Sequence, residues 1–373
     1  MSIYGAQSAI SPRFDDTAHH YDALLVMSFG GPEGTADVMP FLERVTSGRN
    51  VPRERLAEVA VHYEHFGGVS PINSQNRDLI GALGAELARH DITLPIYFGN
   101  RNWHPLVSDT VREMRADGVR RALVFVTSAF SSYSGCRQYR EDIIAALEAT
   151  GADTGNLLCD KIRVFYNHPG FVEPMADRLR EAAARVPADR RTTIEVIFTA
   201  HSIPLAMARG CAYEAQLRES CRLVAAAAGM PRFRLAYQSR SGSPHVPWLE
   251  PDVLDVMRAL HAARQSEVIV APIGFISDHM EVLFDLDEEA AELARGTGMT
   301  MVRAGTVGTH PAFVAMIREL IVERMTATPE RRALGTRGPN HDICPVNCCS
   351  RGETRPPATV SATATAASGL GVP

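Results

Sequence analysis

Three carboxylates recur at every fourth position in one stretch of the sequence. Residues 274–290 read GFISDHMEVLFDLDEEA, in which Glu281, Asp285 and Glu289 occupy positions i, i+4 and i+8. On a helix this spacing places them on one face, where their charges repel, and no lysine or arginine within the stretch relieves the repulsion. An acidic helix N-terminus in solvent explains Glu281 but not the two carboxylates deeper in the helix. The pattern favours a row of oxygen ligands that handles a cation in transit.

His201 is a further candidate for metal binding or proton transfer. His201 lies in FTAHSIP (198–204), which follows the apolar run TIEVIF (193–198). A neutral imidazole binds borderline metal ions and accepts protons. A lone histidine is more often structural, but ligands of parallel sheets bind at the carboxyl ends of the strands. The position of His201 just past a predicted strand therefore favours a functional role.

The cysteines are unevenly distributed. Three of the seven crowd into DICPVNCCS (342–350), and the other four are spread through the body of the chain: Cys136, Cys159, Cys211 and Cys221. An odd number of cysteines in a chain that we expect to be cytoplasmic argues against a disulfide framework. The C-terminal group could be spare thiols, a zinc site or an iron–sulfur site, and the crowding makes spare thiols the least attractive of the three.

Three loops carry further candidates for ligand binding. SFGGP (28–32) follows a predicted strand, but the GxGxxG dinucleotide fingerprint is absent, and the glycine pair is at least as well explained by a turn. Ser70 in YEHFGGVSPIN (63–73) is better placed to cap a helix than to bind a carboxylate. The hydroxyl-rich loop TSAFSSYSGCRQY (127–139) suits a polar ligand and a solvated helix cap equally well.

The elements that must position these residues follow from the hydrophobic pattern. Amphipathic helical segments, such as residues 76–90 and 213–229, alternate with short apolar runs, which indicates right-handed crossover units. The runs predict strands buried on both faces of a parallel sheet, at residues 23–29, 94–99, 122–127, 162–166, 193–198, 234–238, 267–273 and 299–304. The sequence therefore predicts an α/β fold with two Rossmann-like domains, each a four-stranded parallel sheet with flanking helices, and a cleft between them.

The predicted domain boundary lies near residues 180–192, where the basic, proline-containing stretch RVPADRR (185–191) suits a linker. The last 23 residues or so are rich in Ala, Thr, Ser and Pro and cannot bury enough apolar surface to fold. We also expect the last helix of the second domain to pack back on the first. The predicted organisation is a flexible N-terminal arm (1–20), an N-terminal α/β domain (21–185), a C-terminal α/β domain (186–335), a cysteine-containing segment (336–350) and a disordered tail (351–373).

The composition narrows the class of protein. The chain has 373 residues, of which 45% are hydrophobic and 22% are charged, with a formal net charge of -5. An acidic surplus with interspersed charges argues against a nucleic-acid binder. The sequence has neither an apolar stretch of about 18 residues nor a basic start followed by an apolar core, so we expect no transmembrane segment and no secretory signal. These features predict a cytoplasmic protein, which we expect to be a monomer.

The motifs together resemble the ferrochelatase family across roughly residues 20–330. The resemblance rests on several moderately specific segments in the family's order: LLVMSFGGP, YEHFGGVSPIN, FSSYSGCRQY, FTAHSIP, YQSRSG with PWLEPDV, and GFISDHMEVLFDLD. It implies two Rossmann-like domains that clamp a porphyrin in the cleft. It also implies that His201 and Glu281 face each other there and handle pyrrole protons and the arriving ferrous iron. Asp285 and Glu289 then match the family's acidic line for metal or protons.

Three further positions match the family's contacts with the porphyrin. Ser70 and Tyr133 match residues that hold propionates, and Phe29 belongs to the loop 28–32 that lines the macrocycle. Some bacterial members have a tyrosine at the position of Phe29 that can ligate the product iron, which a phenylalanine cannot do. The phenylalanine is typical of the actinobacterial type. His62 stands where other members use an arginine for propionate binding, so the anchoring of the rim must differ in detail.

The resemblance also implies a cofactor for the cysteines. Some members hold a [2Fe–2S] cluster with one cysteine of the body and three near the C-terminus. In this sequence Cys159 matches the body ligand, and with Cys344, Cys348 and Cys349 it makes a complete set of four thiolates. The adjacent Cys348 and Cys349 differ from the C-x-x-C spacing of animal members. The remaining cysteines are interpreted as core or loop residues.

The resemblance thus implies an enzyme of haem biosynthesis that inserts ferrous iron into a porphyrin. The actinobacterial type implies coproporphyrin III as the substrate and coproheme as the product. Metallation of protoporphyrin IX, insertion of another metal such as cobalt, and non-catalytic carriage of a porphyrin or haem remain as alternatives. The carboxylate row argues against a carrier, which needs no such line. The expected partners are the porphyrin, ferrous iron and a downstream enzyme of the haem pathway.

Overall fold

A computed structural model describes residues 18–48, 51–151, 157–241 and 245–352. The predicted arm (1–20) and tail (351–373) therefore fall almost wholly outside the described residues. Within the described part of the chain, no helix is both long enough and apolar enough to cross a membrane.

The strands of the described residues form two separate four-stranded sheets, in which all pairings are parallel. They are β1 (Ala23–Ser28), β2 (Ile96–Asn100), β3 (Arg121–Val126), β4 (Leu158–Lys161), β5 (Glu195–His201), β6 (Phe233–Gln238), β7 (Glu267–Ala271) and β8 (Thr300–Arg303). The first sheet has the order β2-β1-β3-β4 and the second β6-β5-β7-β8. Every residue of β1 and β7 is buried, as expected for strands covered on both faces. The predicted α/β fold is confirmed.

The fourth strand lies earlier in the chain than predicted. The apolar run at residues 162–166 was expected to form it, but the strand is Leu158–Lys161, which pairs with β3. The N–H of Ile162 still donates to the carbonyl of Val124, and the chain then leaves the sheet. The run is nonetheless buried in the core between the domains. The apolar residues of the run indicate that it is buried. Periodicity alone does not show whether a short buried segment also pairs as a strand.

Helices connect the strands on both faces of each sheet. They are α1 (Thr35–Val45), α2 (Arg53–His65), α3 (Ile72–Arg89), α4 (Val107–Ala116), α5 (Gln138–Ala149), α6 (Pro169–Ala184), α7 (Leu205–Arg209), α8 (Tyr213–Ala228), α9 (Val253–Ala262), α10 (Met280–Val282), α11 (Ala291–Thr297) and α12 (Pro311–Met325). Two π-helical stretches, Tyr133–Arg137 and Leu283–Ala290, lead directly into α5 and α11. A 3-10 helix, Ala188–Thr193, lies at the predicted linker.

One apolar core joins the two sheets. The inner faces of β1, β3, β5 and β7 contribute to it, and α3, α6, α8 and α12 fill the space between them. The last helix, α12, packs against α3 and α6, and Nε of Arg318 lies 2.9 Å from Oε1 of Glu86 on α3. A buried ion pair of 2.8 Å between Arg163 and Glu323 ties α12 to the segment after β4. The last helix, α12, therefore packs on elements that connect the strands of the first sheet.

Candidate active site and cysteine centre

A histidine and a glutamate face each other at the carboxyl edge of the second sheet. His201 is the last residue of β5, and the chain after the neighbouring strand β7 brings Glu281 into α10. Nε2 of His201 lies 3.6 Å from Oε1 of Glu281, and the side chains are 31% and 44% exposed. The structure therefore brings together the two residues expected at the active site and leaves them accessible to a ligand.

Gly274 allows the loop after β7 to pass close to β5. Its N–H donates to the carbonyl of Thr199 at 3.0 Å. A Cβ at residue 274 would lie only 2.6 Å from the Cβ of Ala200, which is closer than real side chains pack. A residue larger than glycine would therefore push apart β5 and the loop that leads to Glu281.

The two side chains hold each other in their charged forms. Burial alone would lower the pKa of His201, but the carboxylate of Glu281 outweighs it and raises that pKa to about 9. Burial alone would raise the pKa of Glu281, but the imidazolium of His201 and the hydrogen bond between the two groups lower it to about 2. At neutral pH the pair is therefore an imidazolium–carboxylate ion pair.

The backbone around His201 fixes the orientation of its ring. Nδ1 is hydrogen-bonded to the carbonyl of Ser202, which requires a proton on that nitrogen. The hydroxyl of Tyr213 donates to the carbonyl of His201 at 3.0 Å and holds the end of the strand. Nε2 is consequently the nitrogen that faces Glu281 and the cleft.

The carboxylate row continues along the π-helical stretch that follows α10. Bonding from residue i to i+5 makes this helix wider than the regular helix that the spacing predicted. Oδ2 of Asp285 accepts hydrogen bonds from the hydroxyl of Ser239 and the amide of Gln238. Burial, reinforced by the carboxylates of Glu281 and Glu289, raises the pKa of Asp285 to about 7. Asp285 can therefore take up or release a proton near neutral pH.

Replacing Asp285 by asparagine should stabilise the protein more at alkaline than at acid pH. Because the pKa of Asp285 rises from 3.8 to about 7 on folding, the free energy of unfolding falls as pH increases between these values. An asparagine does not ionise, and its carbonyl oxygen can still accept the Gln238 hydrogen bond. The difference in Tm between Asp285→Asn and wild type should therefore increase from about pH 5 to about pH 8. A difference that does not change with pH would contradict the raised pKa.

Helix α2 of the first domain contacts the segment that carries the carboxylates. The ring of His62 stacks on Phe284 with a centroid distance of 3.8 Å and an interplanar angle of 10°. Nε2 of His65 lies 3.3 Å from Oε1 of Glu288. Burial is the main cause that lowers the pKa of His62, so its imidazole is neutral at neutral pH. His62 therefore serves as a packing residue between the two domains in this structure.

Two residues of the first domain near the pair were missed from the sequence. Burial, followed by the charge of Glu281, raises the pKa of Tyr63 and keeps its phenol neutral. Oε1 of Gln75 accepts from the N–H of Asp278 at 2.8 Å, and its Nε2 donates to the carbonyl of the same residue at 3.4 Å. Gln75 thus ties α3 to the loop that precedes Glu281. No local pattern marks these residues, because their partners lie in the other domain.

The three predicted porphyrin contacts lie in different environments. Phe29 follows β1 and is 37% exposed. Ser70 is buried against Gly31, where a Cβ would come within 2.9 Å of the serine Oγ. The hydroxyl of Tyr133 donates to Oε2 of Glu141 at 2.9 Å. Phe29 therefore offers an open apolar surface, whereas Ser70 and Tyr133 are packed or bonded to neighbouring residues.

Four cysteines line one small cavity: Cys136, Cys344, Cys348 and Cys349. The sulfurs of Cys348 and Cys349 are 3.5 Å apart, and Cys136 is hydrogen-bonded to Cys344 and Cys349. Hydrogen bonds from Cys344 and Cys349 lower the pKa values of Cys136 and Cys348. Cys349 has φ +54°, an uncommon conformation for a residue other than glycine, and it allows two adjacent thiols to face the same cavity.

Buried charges hold the cysteine-containing segment (336–350) against the domains. Oδ2 of Asp342 lies 2.5 Å from Nη1 of Arg331 and 3.4 Å from Nη1 of Arg324. Oδ1 of Asn340 accepts from Nε2 of Gln216 on α8 at 3.4 Å. The segment is thus part of the folded body, held by two arginines that precede it closely in the sequence and by the distant Gln216.

Cys159, which was predicted as the ligand from the body of the chain, does not line this cavity. It is fully buried in β4 and packs in the outer core of the first domain with α4 and α5. Burial raises the pKa of its thiol to about 12. Cys136, which was interpreted as a plain core or loop residue, lines the cavity with the three C-terminal cysteines instead.

Two four-stranded parallel sheets with flanking helices define an α/β protein, and the histidine–carboxylate pair and the carboxylate row at the edge of the second sheet offer nitrogen and oxygen atoms that can bind a metal cation. The chain belongs to the ferrochelatase family, because the family model described as Ferrochelatase matches residues 21–325. The matched residues include both sheets, the pair and the carboxylate row. The cysteines at 344–349 lie beyond the match.

Curated relatives agree with this assignment over most of the chain. A protein named Ferrochelatase from Rhodopirellula baltica is 58% identical over 338 residues, which cover 90% of this chain and 95% of that protein. A Coproporphyrin III ferrochelatase from Frankia alni is 54% identical over 340 residues, 88% of this chain and 86% of that protein. A protein of the same name from Streptomyces coelicolor is 50% identical over 365 residues, 91% of this chain and 96% of that protein.

Proposed function

We propose that this protein inserts ferrous iron into coproporphyrin III and forms coproheme in haem biosynthesis. Membership of the ferrochelatase family supports the reaction, and the names of the relatives from Streptomyces coelicolor and Frankia alni support the porphyrin. The observation that carries the proposal is the His201–Glu281 pair, whose facing atoms are 3.6 Å apart in the cleft.

The proposed reaction requires a site that attracts a cation and accepts protons. Each insertion releases both pyrrole protons, and the ring nitrogens become accessible when binding along the rim distorts the macrocycle. The ionised Glu281 attracts the ferrous ion. The imidazolium of His201 first passes its Nε2 proton through the carboxylates to solvent, Nε2 then accepts one pyrrole proton, and the same cycle removes the second. Asp285, whose pKa is about 7, and Glu289 then pass metal or protons between the pair and solvent.

Rim contacts would hold the porphyrin over this pair. In the proposed complex the exposed ring of Phe29 lines the macrocycle, while Ser70 and Tyr133 bind propionates. Tyr133 would exchange its hydrogen bond to Glu141 for one to a propionate, because a single hydroxyl proton serves one acceptor at a time. Coproporphyrin III has four propionates and protoporphyrin IX has two, so coproporphyrin III needs more polar contacts along its rim. The preference between the two porphyrins therefore tests whether the protein supplies these contacts.

Anaerobic metallation tests this function. The purified protein is mixed with Fe(II) and either coproporphyrin III or protoporphyrin IX, and absorbance follows the loss of free porphyrin. Faster turnover of coproporphyrin III is expected. A preference for protoporphyrin IX would retain the reaction and overturn the substrate. Competition of Fe(II) with Co(II) and Zn(II) in the same assay would identify a chelatase for another metal.

A non-catalytic porphyrin carrier is the alternative to an enzyme. A carrier would bind a porphyrin tightly without metallating it, and His201→Ala would weaken its binding. An enzyme would instead lose metallation in this variant and retain most of its porphyrin affinity, because the rim supplies the affinity. The raised pKa of Asp285 and the carboxylate row favour the enzyme, since neither is useful for binding alone.

We also propose that Cys136, Cys344, Cys348 and Cys349 hold a [2Fe–2S] cluster. The four sulfurs border one cavity, the strained Cys349 turns its thiol into it, and four thiolates are the complete ligand set of such a cluster. His341, Cys344 and Cys348 also place a nitrogen and two sulfurs within 4.8 Å of one another, which would suit zinc. Equal amounts of iron and acid-labile sulfide in the purified protein would support the cluster, and zinc without sulfide would contradict it.

The cytoplasmic location, the monomeric state and transfer of the product to a downstream enzyme of the haem pathway stay predictions. Size-exclusion chromatography with light scattering measures the oligomeric state directly. Fractionation of the native host measures the location.

A further inference from the structure

Lys161 is a buried lysine that has no role in the proposed iron insertion. It is the last residue of β4 and is 6% exposed. Its Nζ donates to the carbonyl of Ile162 at 3.0 Å. An ammonium group has three donors and is costly to bury, and the Ile162 carbonyl satisfies one of these donors. Among the ion pairs of the described residues, none joins Lys161 to a carboxylate.

The surroundings of this ammonium group are sulfur atoms. Lys161 lines the same cavity as the four cysteines and is hydrogen-bonded to Cys136. Alternation along β4 places Lys161 and Cys159 on the same face of the strand. The short side chain of Cys159 remains in the outer core, whereas the longer lysine reaches the cavity. Lys161 thus reaches the cavity from β4, the strand that also carries Cys159.

Lys161 differs from the other two cations at the cavity. Arg137 is 26% exposed, and its Nε lies 2.8 Å from Oε1 of Glu141, so its charge is paired and partly in solvent. Arg140 is half-buried. Exposed charges are screened by water, whereas a buried charge acts at nearly full strength. Lys161 is therefore the cation with the largest expected effect on the sulfurs.

We propose that Lys161 is a built-in counter-charge that stabilises the anionic four-cysteine centre, most of all in its reduced state. This inference rests on the proposed [2Fe–2S] cluster. A cluster with four thiolates is an anion, and reduction adds a further negative charge. The reduction potential of such a cluster depends on nearby charge and hydrogen bonds to sulfur. Lys161 should therefore raise the potential, and it is a positioning residue rather than a ligand.

The test is a redox titration of holoprotein variants. Wild type, Lys161→Met and Lys161→Arg are purified anaerobically and titrated with dithionite, and EPR of the reduced cluster gives the midpoint potential. Lys161→Met, which keeps the volume without the charge, should have a lower midpoint than wild type. Lys161→Arg should remain near the wild-type value. An unchanged midpoint in Lys161→Met, with a wild-type visible CD spectrum of the cluster, would overturn the inference.

Two further variants separate charge from folding. Arg140→Gln removes a half-buried charge at the same cavity and should shift the midpoint less than Lys161→Met does. If Lys161→Met loses its cluster during purification, Lys161→Gln is titrated instead, because its amide can still donate to the Ile162 carbonyl. The same downward shift is expected, and an unchanged midpoint overturns the inference. A wild-type protein without iron and sulfide would overturn the cluster proposal itself, and this inference with it.

Discussion

Replacing Glu281 by glutamine should lower the rate of porphyrin metallation by about 10²- to 10⁴-fold, the range that one acid–base group contributes. Glutamine keeps the size of the side chain but carries no charge to attract the ferrous ion and accepts no proton. The variant also removes the main charge that raises the pKa of His201 to about 9. Anaerobic metallation of coproporphyrin III measures the rate, and an NMR titration of the imidazole should show a lower pKa for His201.

Glu288→Gln is the matched control for this variant. Glu288 lies on the same π-helical stretch, is 43% exposed and contacts His65. Exposed ion pairs contribute at most about 1 kcal/mol, so this variant should keep close to the wild-type rate. Equal losses in both variants would assign the effect to the charge or folding of the whole stretch. A wild-type rate for Glu281→Gln would contradict the role given to the pair.

Replacing Cys136 by alanine should remove iron and acid-labile sulfide from the purified protein. Cys136 supplies one of the four sulfurs around the cavity and is hydrogen-bonded to two of the others. Three thiolates leave an open coordination position, and loss of the cluster removes its contribution to folding. The variant should therefore lack the visible absorbance of an iron–sulfur centre and unfold at a lower temperature than wild type. Iron and sulfide analysis with thermal unfolding measures both effects.

Cys159→Ala controls for the removal of a buried thiol. Cys159 is at least as buried as Cys136, so the two variants lose a similar amount of packing. Because Cys159 packs in the outer core away from the cavity, this variant should keep its iron and sulfide. Retention of the cluster in Cys136→Ala and its loss in Cys159→Ala would restore the ligand set expected from the sequence and contradict the one proposed from the structure.

The sequence determined the fold class from local patterns, and its resemblance to the ferrochelatase family implied the pairing of His201 with Glu281. Buried runs that alternate with amphipathic segments require parallel strands with crossover helices, whatever the details of packing. His201 and Glu281 are far apart in the chain, but each follows a buried strand. The carboxyl ends of adjacent parallel strands share one edge of the sheet, which is the physical reason that the pairing implied by the resemblance is found in the structure.

Only the tertiary structure decided which residues meet across the domains. The stacking of His62 on Phe284 and the hydrogen bonds of Gln75 join elements whose partners no local pattern reveals. The sequence prediction placed the fourth strand too late in the chain, because an apolar run can be buried equally well inside or outside a sheet.

The cysteine centre shows the same limit most clearly. Its C-terminal thiols were evident from their crowding, but the fourth member depended on how one π-helical stretch packs against a segment some 200 residues later in the chain. A cysteine side chain is short, so its backbone must pass close to a cavity for the thiol to line it. The backbone of Cys136 does so, whereas Cys159, two residues before Lys161 on β4, remains in the core. Distances of this kind are set by the packing of whole helices and strands, which sequence spacing does not encode.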